Sequence, residues 1–243
     1  MAESTENFTK SPTDSSIGAN ANSIGPIKTD SHKGPKHSSY HDQAYKMVFK
    51  RNSLFLEFLR LYTETDWLDS SIIKWVNLWN SDFEILDSGG IAADIIYEAS
   101  EKEERVDLGF PTGSMAGIKT LPPDFSKYYL VLLEFQSRVD FTMPFRLLEY
   151  LIESERRIFL NTPVNIRERK GYRLPVIHPI VLFSDKQKMW TAEAQLRDFY
   201  ENPGRFGDIS PNFRYDVFNV NGISKAKLME MEGALRLIFL LDQ

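Results

Sequence analysis

The sequence contains no cysteine and only four histidines among its 243 residues. Disulfides, a thiolate nucleophile and cysteine-ligated zinc are therefore excluded. His32 and His37 lie in a polar stretch near the amino terminus, which also argues against a histidine-rich zinc site. His178 lies in an apolar run, a setting more typical of a hydrogen-bonded core histidine than of a metal ligand. Any chemistry in this chain must therefore rest mainly on side chains other than those of cysteine and histidine.

The chain also lacks a run of eighteen or more apolar residues, and its first residues do not contain the apolar segment of a signal peptide. We therefore expect a cytoplasmic protein with no membrane partner. An excess of basic residues is missing too, because 29 Lys and Arg stand against 34 Asp and Glu, a formal net charge of -5. This balance excludes a histone-like binder of polyanions. It does not exclude an enzyme that acts on DNA, which needs only a local basic patch.

Apolar residues are scarce in residues 1–37, which consist largely of Ser, Thr, Asn, Gly, Pro and Lys. Such a segment cannot bury enough apolar surface to offset the entropy lost on ordering. The chain as a whole is 42% hydrophobic, enough for one sizeable core. The sequence therefore predicts a disordered tail over 1–37 and a single domain over 38–243.

Helices and strands alternate along the rest of the chain, after an initial pair of helices. This order favours an α/β sandwich. Pro175 and Pro179 favour an edge position or a strained course for the strand that contains them. The predicted helices cover 38–49, 54–62, 143–159, 190–199 and 226–241. The predicted strands comprise one within 72–86 and then 91–99, 128–137, 174–183 and 213–220. Residues 100–127 are predicted to form a long connection, either a flap or an extended hairpin.

Two polar side chains occur near the end of the apolar strand over 128–137. Successive side chains of a strand point to opposite faces, so Glu134 and Gln136 project together. Asp94 lies in a similar apolar strand upstream. Burying an ionised carboxylate is costly unless it is paired, hydrogen-bonded or bound to a metal. The alternative is an amphipathic strand with one face in solvent, but the residues before Glu134 are apolar on both faces.

These three residues together predict a metal-dependent hydrolytic site. Mg²⁺ prefers oxygen ligands, usually one or two carboxylates with water and phosphate. Asp94 and Glu134 on neighbouring strands supply two carboxylates, which shared ligation would bring within about 4–6 Å of each other. The ion would polarise a phosphate oxygen and activate a bound water. Gln136 could orient that water or contact the phosphate, but a neutral amide adds no positive charge.

Charged residues near these strands are candidates for substrate contacts. His41 and Asp42 open the first predicted helix, and either could reach the mouth of the site. The alternative for both is helix capping and surface exposure, since Asp42 suits the helix dipole. Lys46, Arg138 and Arg146 are candidates for neutralising a phosphate, against the alternative of solvated surface charges.

Several segments resemble the Rpn family of recombination-promoting nucleases, also described as YhgA-like putative transposases. Glu134-Phe135-Gln136-Ser137, followed by a helix with Arg-Leu-Leu-Glu-Tyr over 146–150, is the most specific part of the resemblance. The segments that carry it are 41–46, 93–97, 133–137, 143–150, 174–182, 190–191 and 213–215.

The resemblance implies membership of the PD-(D/E)XK nuclease superfamily. It therefore implies a restriction-endonuclease-like core with a mixed central sheet flanked by helices. Asp94 would be the acid of the first half of the motif, and Glu134 with Gln136 a Glu-x-Gln version of the second half. The backbone carbonyl of Phe135 would be a further ligand of the metal.

The same resemblance implies Mg²⁺ or Mn²⁺ as cofactor and DNA as partner, with cleavage linked to recombination or mobile elements. Gln136 stands where the wider superfamily has lysine. Two alternatives stay open. The protein could be a catalytically weak or inactive relative that binds nucleic acid or protein, and it could form a homo-oligomer.

Overall fold

Five strands form one mixed sheet in the computed structural model of this chain. The structure describes residues 40–61, 73–80, 83–85, 91–93, 95–100, 128–230 and 233–242. They all belong to one compact unit, residues 35–243. The predicted tail over 1–37 lies outside the described residues, and so does the predicted connection over 100–127 apart from Ser100, which ends a strand.

The helices are α1 (Tyr40–Phe49), α2 (Asn52–Leu61), α3 (Met143–Asn161), α4 (Val164–Arg167), α5 (Pro203–Phe206), α6 (Lys225–Glu230) and α7 (Ala234–Asp242). The strands are β1 (Trp75–Asn80), β2 (Phe83–Ile85), β3 (Ile91–Ala93), β4 (Ile95–Ser100), β5 (Tyr128–Gln136), β6 (Ile177–Phe183) and β7 (Asp216–Asn219). Short 3-10 helices cover Leu196–Phe199, Gly207–Ile209 and Val220–Gly222. None of the described helices combines the length and apolar character that crossing a membrane requires.

The strand order in the main sheet is β1-β4-β5-β6-β7. β4 is antiparallel to both β1 and β5, whereas β6 is parallel to both β5 and β7. A central strand, β5, thus has a hydrogen-bonded neighbour on each side. This arrangement confirms the predicted α/β class with a mixed sheet flanked by helices.

Side-chain alternation along β5 divides the core into two layers. Val131, Leu133 and Phe135 pack in a layer that includes side chains of α1, α2 and α7. Leu130 and Leu132 pack in the other layer, with side chains of α3. Glu134 and Gln136 follow the same alternation as these last two residues, so they lie on the side of the sheet that α3 covers.

Aromatic packing joins α1 to β5 and to α7. The ring of Phe135 lies against Tyr45, with centroids 6.2 Å apart, and against Phe49, at 5.5 Å. The Tyr45 hydroxyl donates a hydrogen bond of 2.9 Å to Oδ2 of Asp242, and both residues are buried. The first and last described helices are therefore joined on one side of the sheet.

The strands between 72 and 100 differ from the prediction. One strand was expected within 72–86 and another over 91–99, but each segment contains two. β2 and β3 pair with each other in a separate two-stranded sheet, while β1 and β4 belong to the main sheet. Pairing of β1 with β4 is irregular between Leu78 and Asn80, where the main-sheet register shifts. An apolar run does not reveal which sheet a strand joins, so the sequence could not show this division.

The edge position expected for the proline-containing strand is wrong, because β6 lies between β5 and β7. Pro175 precedes the strand, and Pro179 pairs with Leu132 of β5. β7 pairs with β6 only from Ile180 of β6 onwards. At Pro179 the strand therefore has a neighbour on one side only, which leaves room for a residue that cannot donate a backbone hydrogen bond.

The helix expected over 190–199 is also wrong, apart from the 3-10 helix at its end. Leu196 N–H donates to the carbonyl of Phe213, and Tyr215 N–H donates to the carbonyl of Ala194. These bonds pair the segment with the chain that precedes β7. The carbonyl of Ala194 and the N–H of Leu196 are thus satisfied without a helix.

The carboxy-terminal helix expected over 226–241 is divided into α6 and α7. Gly233, immediately before α7, has φ of 95°, a conformation that favours glycine. Glu57 of α2 accepts a hydrogen bond of 3.0 Å from Leu235 N–H in the first turn of α7. The break therefore lets α2 cap the last helix.

Candidate active site

Glu134 lies at the end of β5 with only 1% of its surface exposed. Its Oε1 accepts a hydrogen bond of 3.1 Å from Nε2 of Gln136. It also forms an ion pair with Nη2 of Arg146, at 2.5 Å. The structure thus brings these three sequence-predicted residues together on the side of the sheet that α3 covers.

Arg146 connects two carboxylates. Its Nη1 lies 2.7 Å from Oδ2 of Asp140, while its Nη2 contacts both Glu134 and the hydroxyl of Tyr150, the latter at 3.0 Å. The other oxygen of Asp140 accepts hydrogen bonds from the backbone N–H and the hydroxyl of Thr142, at 2.8 and 2.6 Å. The guanidinium is therefore held from several sides.

The start of α3 explains how Arg146 reaches β5. Only six residues separate the end of β5 from α3, and Pro144 lies in the first turn of the helix, where its missing N–H costs little. Arg146 and Tyr150 are four residues apart and share one face of the helix. That face is turned towards β5, because Tyr150 is fully buried in the layer between α3 and the sheet.

The contacts of Arg146 and Asp140 stabilise the charged forms of both side chains. Burial alone would lower the pKa of Arg146, but the neighbouring Glu134 carboxylate, Tyr150 and the hydrogen bonds to Asp140 and Tyr150 raise it well above its ordinary value. Burial alone would raise the pKa of Asp140, but its hydrogen bonds with Thr142 and Arg146 lower it. Arg146 therefore stays positive and Asp140 stays ionised at neutral pH.

Asp140 and Tyr150 were missed by the sequence analysis. An Asp-x-Thr pattern just before a helix that begins with Met-Pro is a local signal for Asp140 as an acceptor at the helix start. The spacing of Arg146 and Tyr150 is a second signal, since it places both on one helical face. Neither pattern alone reveals that the face meets Glu134.

Asp42 approaches the end of β5 from the opposite side of the sheet. The hydroxyl of Ser137, the residue after β5, donates a hydrogen bond of 3.3 Å to Oδ2 of Asp42. The first turn of α1 is thus brought to the end of the strand. Lys46 is one turn further along α1 and half-buried, and the side chain of His41 lies outside the described part of the structure.

Arg138 is exposed and lines an open cleft of about 860 Å³. The cleft lies beyond the carboxyl ends of β5 and β6 and is also lined by residues 184–189. Arg138 is the second residue after the end of β5. Unlike Arg146, it makes no ion pair with another described residue.

His178 is hydrogen-bonded, as its apolar surroundings predicted. Its Nε2 lies 2.8 Å from Oδ2 of Asp216, which joins β6 to β7. Nε of Arg214 is 3.8 Å from the other oxygen of this carboxylate. These contacts account for His178 without a metal.

Asp94 lies outside the described residues, so its predicted approach to Glu134 stays a prediction. Ile95, the next residue, pairs with Leu133, the residue before Glu134. Within the described ranges no group of three or more His, Asp or Glu side chains gathers in a way that could hold a metal ion. The Glu134 carboxylate itself is of the chemical type that Mg²⁺ or Mn²⁺ binds.

Fold and site define an α/β protein with a buried acid–arginine centre at the end of its central strand. A family model described as "Putative transposase, YhgA-like" matches residues 124–243. This match confirms the resemblance to the YhgA-like putative transposases over residues 124–243. The family description suggests a transposase- or nuclease-like role. No curated protein and no solved structure matches the chain.

Proposed function

We propose that this protein is a metal-dependent DNA endonuclease with a restriction-endonuclease-like core. The observation that carries the proposal is the buried carboxylate of Glu134, which contacts both Gln136 and Arg146 at the end of the central strand. This group lies inside the segment that matches the transposase family. Burying an acid beside polar partners at a strand end is costly, and active sites are where such arrangements concentrate.

Glu134 and Asp94 would hold Mg²⁺ or Mn²⁺, with the backbone carbonyl of Phe135 as a further ligand. When bound, the ion would polarise a phosphate oxygen and activate a water for attack on phosphorus. Gln136 would hold that water or a phosphate oxygen by hydrogen bonds. Its amide already donates to Glu134, and both side chains lie on the side of the sheet that α3 covers.

Arg146 gives this centre a positive charge that the neutral Gln136 cannot supply. The guanidinium contacts Glu134 directly, so it would offset the repulsion between the acid and an approaching phosphate. The charge that stabilises the transition state would then come from the metal and from Arg146 together. We propose that Asp42, Lys46 and Arg138 contact the substrate around this centre.

The same ion pair favours a second candidate function. Arg146 already neutralises Glu134 without any metal, so the pair could serve the fold alone in a catalytically inactive relative. Such a protein would bind nucleic acid or protein without cleaving it. Cleavage itself therefore has to be measured.

A plasmid-nicking assay on the full chain decides between the two. We expect supercoiled DNA to be converted to the nicked and linear forms with Mg²⁺ or Mn²⁺, and to stay intact with EDTA. No conversion with either ion would favour the inactive module.

Replacing Gln136 tests whether this residue assists the reaction or binds the metal. We expect Gln136→Ala to slow cleavage by at most about 10²–10³-fold at saturating metal, the range for losing one positioned hydrogen-bond donor. Gln136→Lys should be tolerated or activating, because an ammonium can also donate to Glu134. The measurement is the initial cleavage rate together with the metal affinity of each variant. A Gln136→Ala protein that is as inactive as a Glu134 variant, and has also lost metal affinity, would make Gln136 a ligand.

A further inference from the structure

The cleft beyond β5 and β6 begins next to the proposed active site. Because the two strands are parallel, their carboxyl ends open on the same edge of the sheet. Ser184 N–H donates a hydrogen bond of 3.0 Å to the backbone carbonyl of Gln136, so the two strand ends stay paired. Ser137 and Ser184 both line the cleft, which therefore starts one residue beyond the Gln136 side chain that contacts Glu134.

The cleft is rich in positive charge although the whole chain is acidic. Arg138, Lys186 and Lys188 line it and are exposed. Within the described part of the chain, none of these three cations forms an ion pair. Asp185 also lines the cleft, but its Oδ1 accepts hydrogen bonds from the backbone N–H groups of Gln187 and Lys188 and so holds the turn. The surface therefore presents cations to a polyanion such as a phosphate backbone.

Exposed apolar side chains lie among these cations. Phe141 has 65% of its surface exposed and Met189 has 74%, and both line the cleft. A phenylalanine ring can stack on an unpaired base of any type. In a duplex the faces of the bases are already stacked on one another. An exposed ring beside backbone-binding cations is therefore typical of a surface for single strands.

We propose that this cleft binds an unpaired strand of DNA, with Phe141 stacking on a base and Arg138, Lys186 and Lys188 contacting phosphates. The proposal rests on the proposed nuclease function and defines its substrate as DNA that contains a single-stranded segment. The strand would leave the cleft at Ser137, next to Gln136 and Glu134.

Binding is measured in EDTA, so that cleavage plays no part. Fluorescence anisotropy of the full chain would compare a labelled 20-nucleotide oligo(dT) with a labelled 20-base-pair duplex. We expect the single strand to bind more tightly, and Phe141→Ala to weaken its binding by at least about fivefold, since stacking on one aromatic residue is worth that much or more. Duplex affinity should change less. Phe145→Ala is the matched control, because Phe145 is 48% exposed on α3 but does not line the cleft.

The contribution of Lys186 and Lys188 is tested by the salt dependence of binding. We expect Lys186→Gln with Lys188→Gln to weaken binding and to lower the slope of log affinity against log salt by about 1.4, since each phosphate contact to a single strand contributes about 0.7. Lys170→Gln with Lys225→Gln removes the same charge from exposed sites outside the cleft and should leave the slope unchanged.

The outcomes separate this proposal from the nuclease function. Weaker single-strand binding by Phe141→Ala supports the cleft even if no cleavage is seen with any metal. Unchanged single-strand affinity in Phe141→Ala and in the Lys186 and Lys188 variant overturns it, even if the enzyme cleaves plasmid DNA. Tighter binding of a duplex, or of an RNA 20-mer, than of oligo(dT) overturns the assignment to single-stranded DNA.

Discussion

Glu134→Gln is expected to reduce metal-dependent cleavage roughly a thousandfold or more. Losing a carboxylate ligand removes much of the several kcal/mol that a metal contributes to transition-state stabilisation, and about 4 kcal/mol corresponds to a thousandfold. Glutamine keeps the volume of the side chain. Its amide oxygen can still accept from Gln136 and Arg146, so the variant should fold.

The measurement is the initial nicking rate at saturating Mg²⁺, with metal affinity from calorimetry and the fold checked by circular dichroism. Glu153→Gln is the matched control, because Glu153 is also an acid paired with an arginine, at 2.9 Å from Arg157, but its side chain is 16% exposed and it lies on α3 away from β5. We expect the control to cleave at the wild-type rate. Wild-type cleavage by Glu134→Gln would place the metal elsewhere.

Arg146→Met is expected to produce the largest loss of stability. It leaves the buried Glu134 and the half-buried Asp140 without their shared cation. Removing one partner of a buried ion pair costs about 3–5 kcal/mol. Because the Arg146 side chain is 28% exposed, we expect the lower end, about 3 kcal/mol. For a domain of this size that corresponds to a fall in Tm of about 6–12 °C.

Arg156→Met is the control on the same helix. The Arg156 side chain is 62% exposed and its contact with Glu153 is long, at 3.4 Å, so we expect a change within about 0.5 kcal/mol. Combining Glu134→Gln with Arg146→Met should cost less than the sum of the two single changes, since only the half-buried Asp140, and no longer the fully buried Glu134, is then a carboxylate without its cation. Thermal melts at neutral pH provide all four values. A Tm for Arg146→Met equal to that of the wild type would show that water satisfies Glu134.

The contact between Glu134 and Gln136 could be predicted because it depends on a local rule. Side chains two apart on a strand share a face, whatever the rest of the chain does. The partner of Glu134 could not be predicted in the same way. The sequence indicates Arg146 as a candidate for neutralising a phosphate, which stays a prediction, and only the packing of α3 on the sheet shows that it contacts Glu134.

The errors in the predicted fold also arise because the deciding partners are distant in sequence. Periodicity predicted strand-like structure over 91–99, but which sheet each part joins is decided by pairing partners distant in sequence. Pro179 indicated an edge because proline cannot donate to a ladder. The short length of β7 creates a local edge within the sheet, and the sequence of β6 contains no information about that length. Residues 190–199 were expected to form a helix, yet Ala194 and Leu196 are hydrogen-bonded to the segment that immediately precedes β7.

The buried bond between Tyr45 and Asp242 has a consequence for the time at which the site forms. These residues are 197 positions apart, and the α1 ring that meets α7 also packs on Phe135, next to Glu134. During synthesis α1 must wait for α7 before its apolar face is fully covered, because contacts so distant in sequence form late. A nascent chain would therefore contain β5, with Glu134, before it contained α7. The contact of Tyr45 with α7, in the layer that includes Phe135, would therefore be completed only after α7 had been synthesised.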